Sequence, residues 1–96
     1  MNTFNFKELI NILNIEKIII FGNKNFESND IDLLIISSDF EEMYTIKRRE
    51  FVRRYINSNK KLDLICLTPC EYQRMKRFPN KFSTDIILKG EVVYAR

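Results

Sequence analysis

The sequence predicts an α+β fold, a small mixed β-sheet with helices packed on it. Three short runs rich in branched aliphatic residues, "KIIIFG" (17–22), "DIDLLIIS" (30–37) and "KKLDLICLT" (60–68), have the length and composition of buried strands. Around them lie segments whose apolar residues recur every three or four positions, the period of an amphipathic helix. Only two glycines and two prolines punctuate 96 residues, so each marks a boundary.

Taken in order, "NTFNFKELINILN" reads as a helix. Phe6, Leu9, Ile10 and Leu13 share one face, and Asn2 or Thr3 can cap its start. Strand 17–22 ends at Gly22, and the polar "NKNFESN" turns the chain into strand 30–37, close enough for an antiparallel hairpin. "DFEEMYTIKRREFVRRYINSN" is the next helix, capped by Ser38 or Asp39, with Glu41 and Glu42 in a first turn whose dipole favours them. Met43, Ile46, Phe51, Tyr55 and Ile56 form its apolar stripe. Strand 60–68 then meets Pro69, which suits the first turn of a helix "PCEYQRMKRF" capped by Thr68. "NKFSTDIILKG" is a short helix stopped by Gly90. "EVVYAR" is a final strand or an extended tail. The expected order is αββαβααβ in one domain, without repeats or linkers.

Composition narrows the chemistry. A hydrophobic fraction of 45% supports a single core, and a formal net charge of +3 permits an anionic partner without demanding one. There is no histidine, so a Ser-His-Asp triad, a Cys-His pair and a histidine-based zinc site are all excluded. Cys66 and Cys70 are too few for a four-thiolate metal site, and Cys66 reads as a small buried residue. The start of the chain lacks the pattern of a secretory signal, and no apolar run reaches membrane-spanning length. A reducing cytoplasm without membrane contact is the expected setting.

The carboxylates carry the sharper signal. Alternate residues of a strand share a face, so Asp30 and Asp32 point the same way, with Leu34 and Ile36 continuing that face. Ile31, Leu33 and Ile35 line the other, which makes the strand central and puts its aspartates at the entrance. Asp63 opens the later strand in the same manner. If the two strands are neighbours, three carboxylates converge at one sheet end. Their mutual repulsion is relieved by a divalent cation, and Mg2+ takes carboxylate and phosphate oxygens. Such a centre suits in-line displacement at phosphorus.

"FGN" followed by "NDIDLLII", and about thirty residues later by "LDLICLTPCEY", resembles the polymerase-beta-like nucleotidyltransferase superfamily, above all its minimal stand-alone members. The resemblance runs over nearly the whole chain, including the closing "TPCEYQRMKRFPNKFSTDIILKGEVVY". It implies that residues 1–96 form a single minimal nucleotidyltransferase-like domain that moves a nucleoside monophosphate from ATP or another NTP to a hydroxyl of a protein or RNA. It further implies that Asp30 and Asp32 bind Mg2+ or Mn2+, and that Asp63 shares a metal and assists deprotonation of the acceptor. The backbone around Gly22 and Asn23 would cradle the triphosphate. Lys24, the only cation of that loop, is a candidate phosphate contact or a solvated side chain. Three departures stand out: Asn23 replaces the family's serine, the 22–30 loop is short, and Asn29 stands where a serine commonly precedes the first aspartate.

Those departures keep a second class open, a catalytically degenerate module that binds a protein such as a small helical toxin, in an antitoxin-like role. A third reading uses the run Lys47, Arg48, Arg49, Arg53, Arg54, Lys60 and Lys61 to bind nucleic acid. The alternative for that run is the solvated face of an amphipathic helix. Tyr44, Phe51, Tyr55 and Tyr72 are expected to pack against the domain. Tyr94 is expected to extend an exposed patch, while Phe4, Phe6 and Phe26 have no clear place.

Overall fold

The structure, a computed structural model, describes residues 4–21, 30–58 and 61–96, and only the backbone of Phe4 and Asp30. A short strand β1 (Phe4–Asn5) leads into helix α1 (Lys7–Ile12) and strand β2 (Ile15–Phe21). After β3 (Asp30–Ser37) come a 3-10 helix (Ser38–Glu42) and helix α2 (Thr45–Tyr55). Then follow β4 (Asn57–Ser58), β5 (Lys61–Leu67), α3 (Pro69–Arg77), α4 (Lys81–Lys89) and β6 (Glu91–Ala95). The αββαβααβ order expected from the sequence is therefore present, with the two-residue strands and the 3-10 helix added to it.

The main sheet has the order β5-β3-β2-β6. β2 runs antiparallel to both neighbours, while β3 and β5 are parallel. Parallel neighbours need a crossover, and α2 supplies it. The two faces of β3 separate two cores. Leu33 and Ile35 pack with Ile18, Leu64 and Cys66 beneath α1 and α2, against Leu9, Leu13, Phe40, Val52 and Ile56. Leu34 and Ile36 pack with Ile19, Phe21, Tyr72 and Ile86 beneath α3 and α4. Burial on both faces is why β3 reads as an unbroken apolar run.

Arg48 joins α2, β5 and α3. It is only 7% exposed. Its Nη1 donates to the Cys66 carbonyl at 3.1 Å and to Glu71 Oε1 at 2.6 Å, and its Nε donates to the Met43 carbonyl at 3.1 Å. The guanidinium also lies 5.9 Å from the Phe40 ring centroid. A buried cation is tolerable only with such compensation. Glu71 in turn closes the capping box of α3: the Thr68 amide donates to Glu71 Oε1 at 2.8 Å, and the Glu71 amide donates to Thr68 Oγ1 at 3.1 Å. Partial burial works against ionisation of the Glu71 carboxyl, but the Thr68 amide and the Arg48 guanidinium outweigh it and hold the group below its usual pKa. Farther along α2, Arg53 Nη2 donates to the Leu62 carbonyl at 3.3 Å. Leu62 and Cys66 lie on the end strand of the sheet, so two arginines of one helix occupy carbonyls of an edge that would otherwise invite another strand.

Several expectations are corrected. The first helix is shorter than expected and starts after Phe6; Asn2 and Thr3 lie outside the described residues, and Asn5 Oδ1 accepts from the Lys7 amide. The long second helix is broken at Met43 and Tyr44, which are extended. Ser37 rather than Ser38 or Asp39 caps the 3-10 helix, because Asp39 is drawn away to accept from the Asn14 amide at 2.7 Å. That break rotates the apolar stripe. Val52 becomes core, whereas Ile46 is 62% exposed and Tyr44 is 86% exposed. Tyr94 is not part of an exposed patch: it is half-buried and packs edge-on against Phe6 at 6.5 Å. Gly90 ends α4 in extended rather than left-handed geometry. Its need is space, since a Cβ there would overlap the Ile86 carbonyl oxygen and come within 2.7 Å of Ile19 Cγ2.

Two outcomes follow from the Arg48 network. Arg48→Ala removes the donors to the Met43 and Cys66 carbonyls and the packing of a buried side chain, while Glu71, 43% exposed and still accepting from the Thr68 amide, stays solvated; urea titration should show a loss of about 1–3 kcal/mol. Arg48→Lys should not recover it, because an ammonium cannot match the guanidinium fork. Tyr44→Ala should stay within about 0.5 kcal/mol of wild type. The Glu71 contribution has a defined pH window. Its folded pKa is depressed, so the contribution is complete above the unfolded glutamate value of about 4.3 and is lost as pH falls through the lower folded value. Glu71→Gln should therefore flatten the acid limb of a stability-versus-pH curve.

Candidate functional site

β2 ends, and β3 and β5 begin, at the same end of the sheet. The register there places Phe21 opposite Asp32, and Asp32 beside Asp63. Asp30 pairs with Lys61 two residues nearer the starts of the two strands. Residues in register across parallel strands share a face and are separated by one strand spacing, about 4.8 Å. Asp32 and Asp63 therefore stand side by side on the face that carries Leu34, Ile36, Ile65 and Leu67, the face covered by α3 and α4. Asp32 is half-buried and Asp63 is exposed.

The expected convergence holds for Asp32 and Asp63. The backbone of Asp30 opens the same strand two residues before Asp32, and its side chain lies outside the described residues. Gly22, Asn23 and Lys24, the expected phosphate cradle, also lie outside them, as do Phe26 and Lys60. Among the described residues no group of three carboxylate or thiol side chains is placed to hold a metal ion. The in-register pair does fit a hard divalent cation: two carboxylates one strand apart on a common face can contribute oxygens to a single ion whose other ligands are phosphate and water.

α3 and α4 frame this end. α3 starts at the far end of β5, directly after Leu67 and Thr68. Its nine residues rise about 13 Å, the same distance that four strand residues take to run from Asp63 to Leu67. The chain thus returns to the level of the aspartates before α4 begins. Phe82, in the first turn of α4, meets Phe21 with ring centroids 6.0 Å apart at an interplanar angle of 87°. Phe82 escapes a reading of the sequence. It looks like any apolar residue of a short helix, and nothing local reveals that its ring meets the strand end beside Asp32.

The basic run divides in the structure. Arg48 is internal and is removed from any phosphate-binding face, a correction to the seven-residue patch expected from the sequence. Lys47, Arg49, Arg53, Arg54 and Lys61 are exposed, with Lys47 Nζ 3.5 Å from Glu50. Ile46, Arg49, Glu50 and Arg53 line an open depression of about 260 Å3 on the outer side of α2. α2 covers the opposite face of the sheet from Asp32 and Asp63, so this depression is separate from the carboxylate pair.

Neither thiol is paired. Burial pushes the Cys66 thiol up to about 12, against the nearby guanidinium charges of Arg48, Arg49 and Arg53. Cys66 is thus a packing residue, as expected, while Cys70 is exposed.

No protein-family model matches the chain, and no curated protein matches it. Among solved structures, the crystal structure of a "putative nucleotidyltransferase" from Sulfolobus solfataricus superposes with a TM-score of 0.56 and 26% sequence identity. The match covers 85% of this chain and 65% of that one, so the chain spans just under two thirds of its neighbour's length. The fold is nucleotidyltransferase-like. No helix among the described residues is long and apolar enough to cross a membrane.

The thiol assignment is open to direct measurement. A disulfide reagent at pH 8 should titrate Cys70 rapidly in the folded chain and reach Cys66 only on denaturation, because the thiolate is the reacting species. Cys70→Ser should abolish the fast phase.

Proposed function

We propose that the chain is a metal-dependent nucleotidyltransferase that moves a nucleoside monophosphate from an NTP to a hydroxyl of a protein or RNA. The observation that carries this reading is the in-register pair Asp32 and Asp63 on one face at the entrance of the sheet, within a nucleotidyltransferase-like fold. Asp30, Asp32 and Asp63 would hold Mg2+ or Mn2+, which supplies charge neutralisation at the phosphates and orients them. Gly22, Asn23 and Lys24 are the proposed contacts of the triphosphate.

The chain's own residues position and move a proton. Asp63, the more exposed of the pair, faces the acceptor side and receives the hydroxyl proton as that oxygen attacks the α-phosphorus. The new phosphoester bond forms as the bond to the β-phosphate breaks, and pyrophosphate leaves with the electron pair. Asp32, half-buried between Phe21 and Asp63, would act on the reacting phosphate through the cation it helps to hold. This is catalysis by placement and electrostatics rather than by a covalent intermediate.

A second reading is favoured by a separate observation. Phe78 and Leu88 are each more than two-thirds exposed, and Ile87, Val92 and Val93 add apolar surface on α4 and β6. Such surface suits a protein partner, the antitoxin-like alternative in which the fold binds without reacting. The exposed Lys47, Arg49, Arg53, Arg54 and Lys61 would instead serve a nucleic-acid acceptor. Its compartment would be the cytoplasm.

Incubation of the full chain with α-labelled NTPs, Mg2+ or Mn2+, and separated protein and RNA fractions should label one fraction. Asp32→Asn and Asp63→Asn should each lower the rate by roughly 100-fold or more, the scale of several kcal/mol of lost charge stabilisation. Absence of label from every fraction, together with capture of a stoichiometric protein partner by both variants, would instead establish the binding module.

A further inference from the structure

We infer that Phe82 is the wall against which the base of the bound nucleotide stacks. This rests on the nucleotidyltransferase reading and extends it to a residue on which that reading does not depend. Phe82 is 55% exposed although it is a large aromatic in the first turn of a helix. One edge of the contact is fixed: its ring meets Phe21 at 6.0 Å and 87°, an edge-to-face geometry that anchors one side of the ring and leaves other ring surface open. Phe21 is itself buried and stands opposite Asp32 in the β2–β3 register. The exposed ring is therefore two side chains from the carboxylate pair, on the same face of the sheet.

A nucleotide has its base on one side of the ribose and its phosphates on the other. With the phosphates at Asp32 and Asp63, a base directed toward α4 arrives at Phe82. The capping box at Asn80 and Ser83 holds the first turn of α4, with reciprocal amide-to-side-chain bonds of 2.8 Å, so the ring is carried on a fixed backbone. Stacking is indifferent to the hydrogen-bonding edge of the base. Phe82 consequently confers affinity for nucleotides in general, with purines favoured over pyrimidines by ring area.

The sequence contains no tryptophan, so Phe82→Trp places the chain's one tryptophan, excited selectively beyond the tyrosine band, at the inferred contact. In the full chain with magnesium, its emission should fall on addition of ATP, fall less with UTP, and not respond to tripolyphosphate. Phe82→Leu should weaken ATP binding by calorimetry roughly ten-fold or more, the scale of a lost base–aromatic stack, and leave tripolyphosphate binding unchanged. An unresponsive tryptophan at saturating ATP overturns the inference, as does equal weakening of ATP and tripolyphosphate. If the wild type binds tripolyphosphate and ATP yet Phe82→Leu affects neither, the stacking contact alone fails. If the wild type binds neither ligand, the nucleotidyltransferase reading fails with it. Emission that changes with protein concentration but not with ATP overturns the inference in favour of self-association through α4.

Discussion

A buried guanidinium settles where the second half of the chain goes. Arg48 sits on the crossover helix, yet its partners belong to the end of β5 and the start of α3. Because Glu71 accepts from both Arg48 and the Thr68 amide, the point at which β5 stops being a strand is also the point at which α3 becomes a helix. From that fixed start α3 can only run back along the sheet. Its length then delivers the chain to the level of Asp63, where α4 begins and Phe82 meets Phe21. The carboxylate pair and its aromatic neighbour thus depend on a polar cluster at the opposite end of the sheet. Such a cluster contributes less net stability than apolar packing of equal volume, but breaking it by removing one partner is costly.

The parallel register of β3 and β5 is the second constraint. Because β3 and β5 run parallel, both strands start at the same end, and the crossover through α2 brings the chain back to that end before β5 begins, so the opening aspartates Asp32 and Asp63 stand side by side. β2, antiparallel to β3, brings its own exit to the same place. Apolar residues fill both faces of β3 beyond its opening residues, so the aspartates stand where the sheet meets water. Carboxylates there avoid the full desolvation that a deeper position would impose, while their neighbours still lower the local dielectric.

How much of this was legible before any coordinates depends on whether the determinant is local. β3 was readable to the residue because its apolar run and opening aspartates are contiguous. α3 was readable because Thr68, Pro69 and Glu71 are a self-contained start signal. The stretch 39–59 departs from its sequence pattern because Asp39 and Ser38 look like caps in isolation, while in the fold they bond to Asn14. Arg48 looks like its basic neighbours because a sequence shows charge and not the acceptors that neutralise it. The Asp32–Asp63 juxtaposition follows from the strand patterns only on the condition that the two strands are neighbours. Strand pairing across a crossover carries no local signal, and Phe82 against Phe21 carries none at all.

The division of the arginines along α2 bears on how charge is used around the sheet. Arg48 and Arg53 reach toward carbonyls of the same edge strand, Arg48 buried at the covered end near α3 and Arg53 exposed at the open end near Leu62. At the covered end the cation is consumed internally and serves cohesion. Toward the open end Arg53 keeps its guanidinium at the strand edge, one residue from Asp63, and Lys61 follows two residues before that aspartate. Positive charge therefore lies along the edge of β5 close to Asp63. That arrangement attracts an anionic ligand to the end of the sheet by long-range field.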